Sequence, residues 1–109
     1  MDENVYITEL LDCYRELLTE KQADILSLYY EEDLSLSEIT DHYSVTRQAV
    51  LDSIKRAVRQ LKHYEEKLAL VAKVNKHQEI IDNIKLICRE LEDKDSAEKI
   101  LTAVSELEA

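Results

Sequence analysis

Apolar residues recur along this chain at the three-and-four spacing of α-helices, in six blocks separated by short polar stretches. The first block predicts a helix from Val5 to Leu18 with Ile7, Leu10, Leu11, Tyr14, Leu17 and Leu18 on one face. Thr19-Glu20-Lys21-Gln22 is a capping-box pattern, in which the Thr hydroxyl takes an orphan N–H and the Gln reaches back to the cap. A second helix therefore starts at Glu20 and runs to Glu32, with Ile25, Leu26, Leu28, Tyr29 and Tyr30 inward or at the rim. Ser35 or Ser37 caps a short third helix, Leu36 to His42, and Glu38 completes a box if Ser35 is the cap. Ser44-Val45-Thr46 follows, and Thr46 is a good N-cap for the next helix. Two short helices joined by three residues have the form of a helix-turn-helix.

The fourth block is the most regular. Val50, Ile54, Ala57, Leu61, Tyr64, Leu68 and Val71 are spaced 4, 3, 4, 3, 4, 3. That is a heptad seam, and with no breaker before Lys76 it predicts a helix of roughly 30 residues, about 45 Å long. Its first turns suffice to read DNA, so its second half needs a partner helix. A fifth helix, Gln78 to Glu92, and a sixth, capped by Asp95 or Ser96 after an Asp93–Ser96 loop, can supply that partner from the same chain or from a second subunit.

Composition sharpens this picture. There is no glycine and no proline, which disfavours tight hairpins and excludes glycine-dependent phosphate loops. With 45% hydrophobic and 35% charged residues, the chain is too apolar to be disordered, and the fold class is all-α. Its 109 residues suit a single domain, with a helix-turn-helix core over 5–64 and a helical extension over 65–109 that is a candidate for dimerisation. No apolar run approaches the ~18 residues of a membrane span and no leader pattern is visible, so the expected location is the cytoplasm and no membrane partner is expected.

The net charge of −10 makes the whole chain a poor polyanion binder. Its distribution says more. Residues 1–43 hold 12 acids against 2 bases, and residues 65–109 hold 11 against 7. Residues 44–64 hold one acid, Asp52, against five bases. The only basic segment is thus the helix that would read DNA. Arg47 and Gln48 sit in its first turn, where Arg can take guanine O6/N7 and Gln adenine N6/N7. Leu51 can touch a thymine methyl, and Asp52 can accept from cytosine N4 while repelling phosphate. Lys55, Arg56 and Arg59 lie one to two turns further on, suited to the backbone. Thr46 and the helix N-terminus add a phosphate contact.

Other residues read more simply. Ser35 and Ser37 are caps before they are phosphate ligands. Tyr29 and Tyr30 are core and rim residues rather than stacking platforms. His42, His63 and His77 lack metal spacing, and Cys13 and Cys88 are isolated thiols, so no metal or cofactor is expected. No cluster suggests a catalytic centre, and the expectation is a protein without enzymatic activity.

Particular residues carry a resemblance. Leu34-Ser-Leu-Ser-Glu-Ile-Thr40 and Val45-Thr-Arg-Gln-Ala-Val50, then Ile54-Lys-Arg-Ala57 and Leu61, resemble region 4 of bacterial sigma factors. That region reads the upstream promoter element and touches RNA polymerase. Leu18-Thr-Glu-Lys-Gln22, Leu28-Tyr-Tyr-Glu-Glu-Asp-Leu-Ser-Leu-Ser-Glu-Ile39 and Tyr64-Glu-Glu-Lys-Leu68 are more closely similar to the YlxM family, short bacterial proteins whose genes accompany those of the signal recognition particle protein. The resemblance covers residues 5–70. It implies a regulator that binds double-stranded DNA, acting in that particle's pathway, or alternatively a module that docks on RNA polymerase or a component of the particle. The chain shows nothing similar to the sigma region that reads the other promoter element, Asp52 stands where sigma recognition helices often carry a base or amide, and Ser44 stands where many helix-turn-helix turns carry Gly. One basic helix on an acidic body binds weakly, and two on one duplex gain by effective concentration, which favours a homodimer.

Overall fold

The computed structural model describes residues 2–109. Among them it has six α-helices and no strand: α1 (Glu3–Tyr14), α2 (Glu20–Leu26), α3 (Leu36–Tyr43), α4 (Arg47–Leu68), α5 (Leu70–Glu90) and α6 (Lys94–Glu108). They form two compact units, one ending at Val71 and one spanning Ala72–Ala109.

Local hydrogen bonds set most boundaries of the first unit. Asp2 caps α1 by accepting from the Asn4 N–H at 3.1 Å. The expected helix to Leu18 tightens after Tyr14 into a 3₁₀ turn, Arg15–Leu17, which closes with an i→i+3 bond from the Leu18 N–H to the Arg15 carbonyl. Both capping boxes form as expected. Thr19 and Gln22 exchange bonds of 3.1 Å at the start of α2, and Ser35 and Glu38 do the same at the start of α3, which decides for Ser35 over Ser37. The second helix is not α-helical to Glu32. It widens into a π-helical turn, Ser27–Glu31, and Asp33 then turns the chain at φ 56°, a conformation Asp tolerates better than most residues.

The core lies where α1, α2 and α3 pack on α4. Ile7, Leu10, Leu11 and Tyr14 of α1, Ala23, Ile25 and Leu26 of α2 and Ile39 of α3 are buried with Val50, Ile54, Ala57 and Leu61 of α4. The first part of the heptad seam is therefore closed inside one chain, and is not a surface for a second copy.

The long helix expected to reach Lys76 ends instead at Leu68. Ala69 takes a left-handed conformation, φ 53° and ψ 35°, and α5 begins at once. No residue in the sequence marks this break. Its cause is a cap assembled from elsewhere: the Tyr14 hydroxyl accepts from the Leu70 N–H at 3.0 Å, and Glu65 Oε1 accepts from the Val71 N–H at 2.9 Å. These two acceptors satisfy donors that a helix start leaves orphaned. Leu68 consequently stays 45% exposed, while Val71 reaches the core from the new helix.

In the second unit, α5 starts well before the expected Gln78 because it is the other product of that break. The cap of α6 is Asp93, not Asp95 or Ser96. Its Oδ1 accepts from the N–H groups of both those residues, at 3.1 and 3.2 Å, and Ser96 Oγ donates to its Oδ2. Ile81, Cys88, Ala97 and Val104 are the buried side chains there.

Candidate nucleic-acid interface

The turn between α3 and α4 aims the start of α4. The α3 C-cap, Ser44, adopts φ 55° and ψ 39°, with its N–H donating to the Thr40 carbonyl at 2.9 Å. A Gly would take this conformation without the Cβ penalty, and Ser accepts it at a cost of about 1–2 kcal/mol. Val45 is half-buried and anchors the turn on the core. Thr46 Oγ1 accepts from the Ala49 N–H at 3.1 Å, so α4 starts where expected. Because the hydroxyl uses its acceptor on this cap, Thr46 contributes to an anion site only through its O–H and the helix start.

The burial of Val50, Ile54, Ala57 and Leu61 fixes which side of α4 faces out. At ~100° per residue, Gln48, Asp52, Lys55 and Arg59 fall on one outward line, with Arg56 beside it. All five are exposed, as are Thr46 and Arg47, whereas Leu51 is half-buried at the flank. The structure thus gathers seven of the eight expected residues on the open surface and leaves Leu51 only an edge.

Two features of this face are not legible from single residues. Gln48 Nε2 donates to Asp52 Oδ1 at 2.9 Å, one helical turn away. Asp52 therefore orients the Gln48 amide and occupies one of its donors. The other feature is the freedom of the cations. The ion pairs among the described residues are Arg15–Glu31, Lys62–Glu3 and Lys85–Glu108. Lys62, the fifth base of the segment, is thus tied to α1, while Arg47, Lys55, Arg56 and Arg59 enter none of these pairs. Lys55 and Arg59 also border an open groove of about 330 Å³ shared with Glu3, Ile7, Tyr30 and Val58. Tyr30 stands edge-on to Tyr29, the ring centroids 5.0 Å apart, consistent with its reading as a rim residue.

With a turn of three residues, a capped second helix and an exposed basic face in place, the comparison with known proteins becomes specific. Residues 1–103 match the family described as UPF0122, "Putative helix-turn-helix protein, YlxM / p13 like". The chain belongs to this family. A UPF0122 protein of Halalkalibacterium halodurans is 44% identical over 106 residues, covering 97% of this chain and 94% of its own length. Relatives in Clostridium acetobutylicum (41%, covering 92% and 90%) and Bacillus cereus (38%, covering 99% of each chain) extend the likeness through the second unit. The resemblance seen over residues 5–70 is therefore only part of what this YlxM/p13-like chain shares with its relatives.

The remaining candidates stay apart. No group of three His, Cys, Asp or Glu residues able to hold a metal occurs among the described residues. Cys13 is half-buried and Cys88 buried, both as free thiols. Burial, followed by the nearby carboxylates of Glu65, Asp12 and Glu9, pushes the Cys13 thiol up and away from its reactive form. Among the described residues no helix is long and apolar enough to cross a membrane.

Proposed function

We propose that the chain is a cytoplasmic DNA-binding regulatory protein whose first unit is a fold of the sigma region 4 type. The start of α4 enters the major groove of double-stranded DNA, as the second helix of a helix-turn-helix does. The observation that carries this reading is the set of four cations on α4, exposed and outside the ion pairs of the described residues, in a chain of net −10. Cations left exposed on this helix against that background suit phosphate neutralisation. Arg47 and Gln48 address base edges, Leu51 a thymine methyl from the flank, and Lys55, Arg56 and Arg59 the backbone. The role is binding rather than catalysis, and no cofactor takes part.

Selection of bound duplexes from a random library at two salt concentrations tests this. Enrichment of a common motif that weakens with salt supports it. Failure to retain any duplex at low salt removes it.

One observation favours a second reading. Asp52 places a carboxylate in the middle of the reading face and engages the Gln48 amide. A face of mixed charge suits a protein surface better than a phosphate backbone. In that reading the same fold docks on RNA polymerase or on a component of the signal recognition particle, whose operon the resemblance brings in. Pull-down with Asp52→Ala as the comparison separates the two: loss of partner capture supports docking, and unchanged capture with tighter DNA binding supports the groove.

A further inference from the structure

The second unit leaves a face unfinished. Helices α5 and α6 run antiparallel, tied along one flank where Lys85 reaches Glu108 at 2.9 Å. Between them only Ile81, Cys88, Ala97 and Val104 are buried, two of them small. On the opposite flank Ile80 (47% exposed) of α5 and Leu107 (70%) of α6 line one groove, and Ile87 (53%) and Ile100 follow them one helical repeat away, seven residues on each helix. Ile84 sits between them on the floor of an open groove of about 270 Å³, lined also by His77, Ile80, Ile81 and Leu107. These aliphatic residues follow helical spacing on both helices, as the inner positions of a bundle do. Two helices cannot enclose such a stripe; four can.

The rim of the groove says what closes it. By ~100° per residue, Lys76 and Glu90 both stand on the open side of α5, and each is seven residues from Asn83. The α5 side of the rim is therefore basic towards one end and acidic towards the other, symmetric in position about Asn83. A two-fold axis at that point sets each lysine against the glutamate of the other copy. An isologous interface requires this self-complementarity, and the middle of the stripe, Ile80, Asn83 and Ile87, is free of charge. A basic partner, the natural match for the acidic surface of the chain as a whole, would find no acidic patch here.

We propose that the open α5–α6 face is a homodimer interface: a second copy lays its hairpin antiparallel on it and closes a four-helix bundle with its two-fold axis near Asn83. The buried seam of α4 does not take part, since the first unit closes it. The inference is independent of the DNA reading, because oligomeric state is measured without nucleic acid. Each dimer would carry two α4 reading faces.

Sedimentation equilibrium of the full chain at micromolar concentration tests it. The wild type should show twice the chain mass of 12.7 kDa. Ile80→Glu and Ile87→Glu should each raise the dimer dissociation constant about tenfold or more, by burying an unpaired charge. Leu86→Glu is the control, since Leu86 is 54% exposed but lies about 200° around the helix from Ile84. It should leave the dimer intact. Lys76→Glu and Glu90→Lys, both at exposed positions that do not threaten folding, should each weaken the dimer, and the double exchange should restore it. A monomeric wild type overturns the proposal. So does a dimer that resists the Ile80 and Ile87 substitutions, one that Leu86→Glu dissociates equally, or one that the charge exchanges fail to weaken and restore.

Discussion

The Tyr14 hydroxyl donates to Glu65 Oε1 across 2.6 Å, joining α1 to the end of α4. The same hydroxyl accepts from Leu70 and the same carboxylate oxygen from Val71, so the pair caps α5 and enforces the break at Ala69. Tyr14→Phe keeps the ring in the core but strands the Leu70 N–H. The expected loss is about 1–3 kcal/mol, read from urea unfolding. A loss of only a few tenths would mean that the break does not depend on this cap.

Ala69 itself is strained. With φ at 53°, it occupies a conformation that costs a residue with a Cβ about 1–2 kcal/mol. Ala69→Gly should therefore stabilise the protein, by about 0.5–1 kcal/mol once the added freedom of glycine in the unfolded chain is counted. Ala72→Gly, inside α5 and exposed, should destabilise it by a similar amount. Opposite signs at two alanines three residues apart, seen as opposite shifts in the urea midpoint, check the local geometry. Equal signs would contradict it.

The acid limb of stability should depend on Glu31. Its bonds from the Arg15 guanidinium and then from Ser27 hold the carboxyl below the usual glutamate range. A depressed folded pKa means that the stabilisation is present above the unfolded pKa and is lost as pH falls through the folded one. Both partners are about a third or more exposed, so the contribution is modest, on the order of 0.2–1 kcal/mol. Glu31→Gln should unfold at lower urea than wild type near neutral pH, and the gap should close below the carboxylate range. A gap that widens on acidification would reverse the sign.

Tyr14 acts at the other end of the pH scale. Burial first, and the bond to Glu65 second, raise its pKa above the ordinary tyrosine value. A raised folded pKa leaves stability intact below the unfolded value and removes it as pH rises beyond. Unfolding in strong base should therefore be less steep with pH in Tyr14→Phe than in wild type, by urea midpoints across the alkaline limb. Identical slopes would show that another group controls it.

How much of this is legible in the sequence depends on how far apart the interacting groups lie. Thr19 with Gln22, Ser35 with Glu38 and Thr46 with Ala49 bond within three residues, and each helix start follows from the sequence. The end of α4 does not. The seam runs past Leu68 with unbroken periodicity, and the group that stops it is a tyrosine from α1, 56 residues before its Leu70 partner. The π-helical turn at Ser27–Glu31 is hidden for a related reason, since it keeps an apolar pattern while changing the hydrogen-bond register. At the candidate interface the residue types are readable and their pairing is easily missed. Gln48 and Asp52 are four apart on a helix, a spacing that brings side chains together, yet each reads as an independent base contact when taken singly. The closing of the first part of the seam by α1, α2 and α3 also takes those positions of α4 out of reach of a second copy.

Fluorescence anisotropy of a labelled duplex as a function of salt tests most directly whether α4 reads double-stranded DNA, as proposed. Three phosphates neutralised by Lys55, Arg56 and Arg59 predict that log K falls with log salt at a slope of roughly −2.7 per chain, and that Lys55→Ala makes the slope shallower by about 0.9 for every sequence alike. Absence of binding to any duplex at low salt, or a slope that Lys55→Ala leaves unchanged, would contradict it.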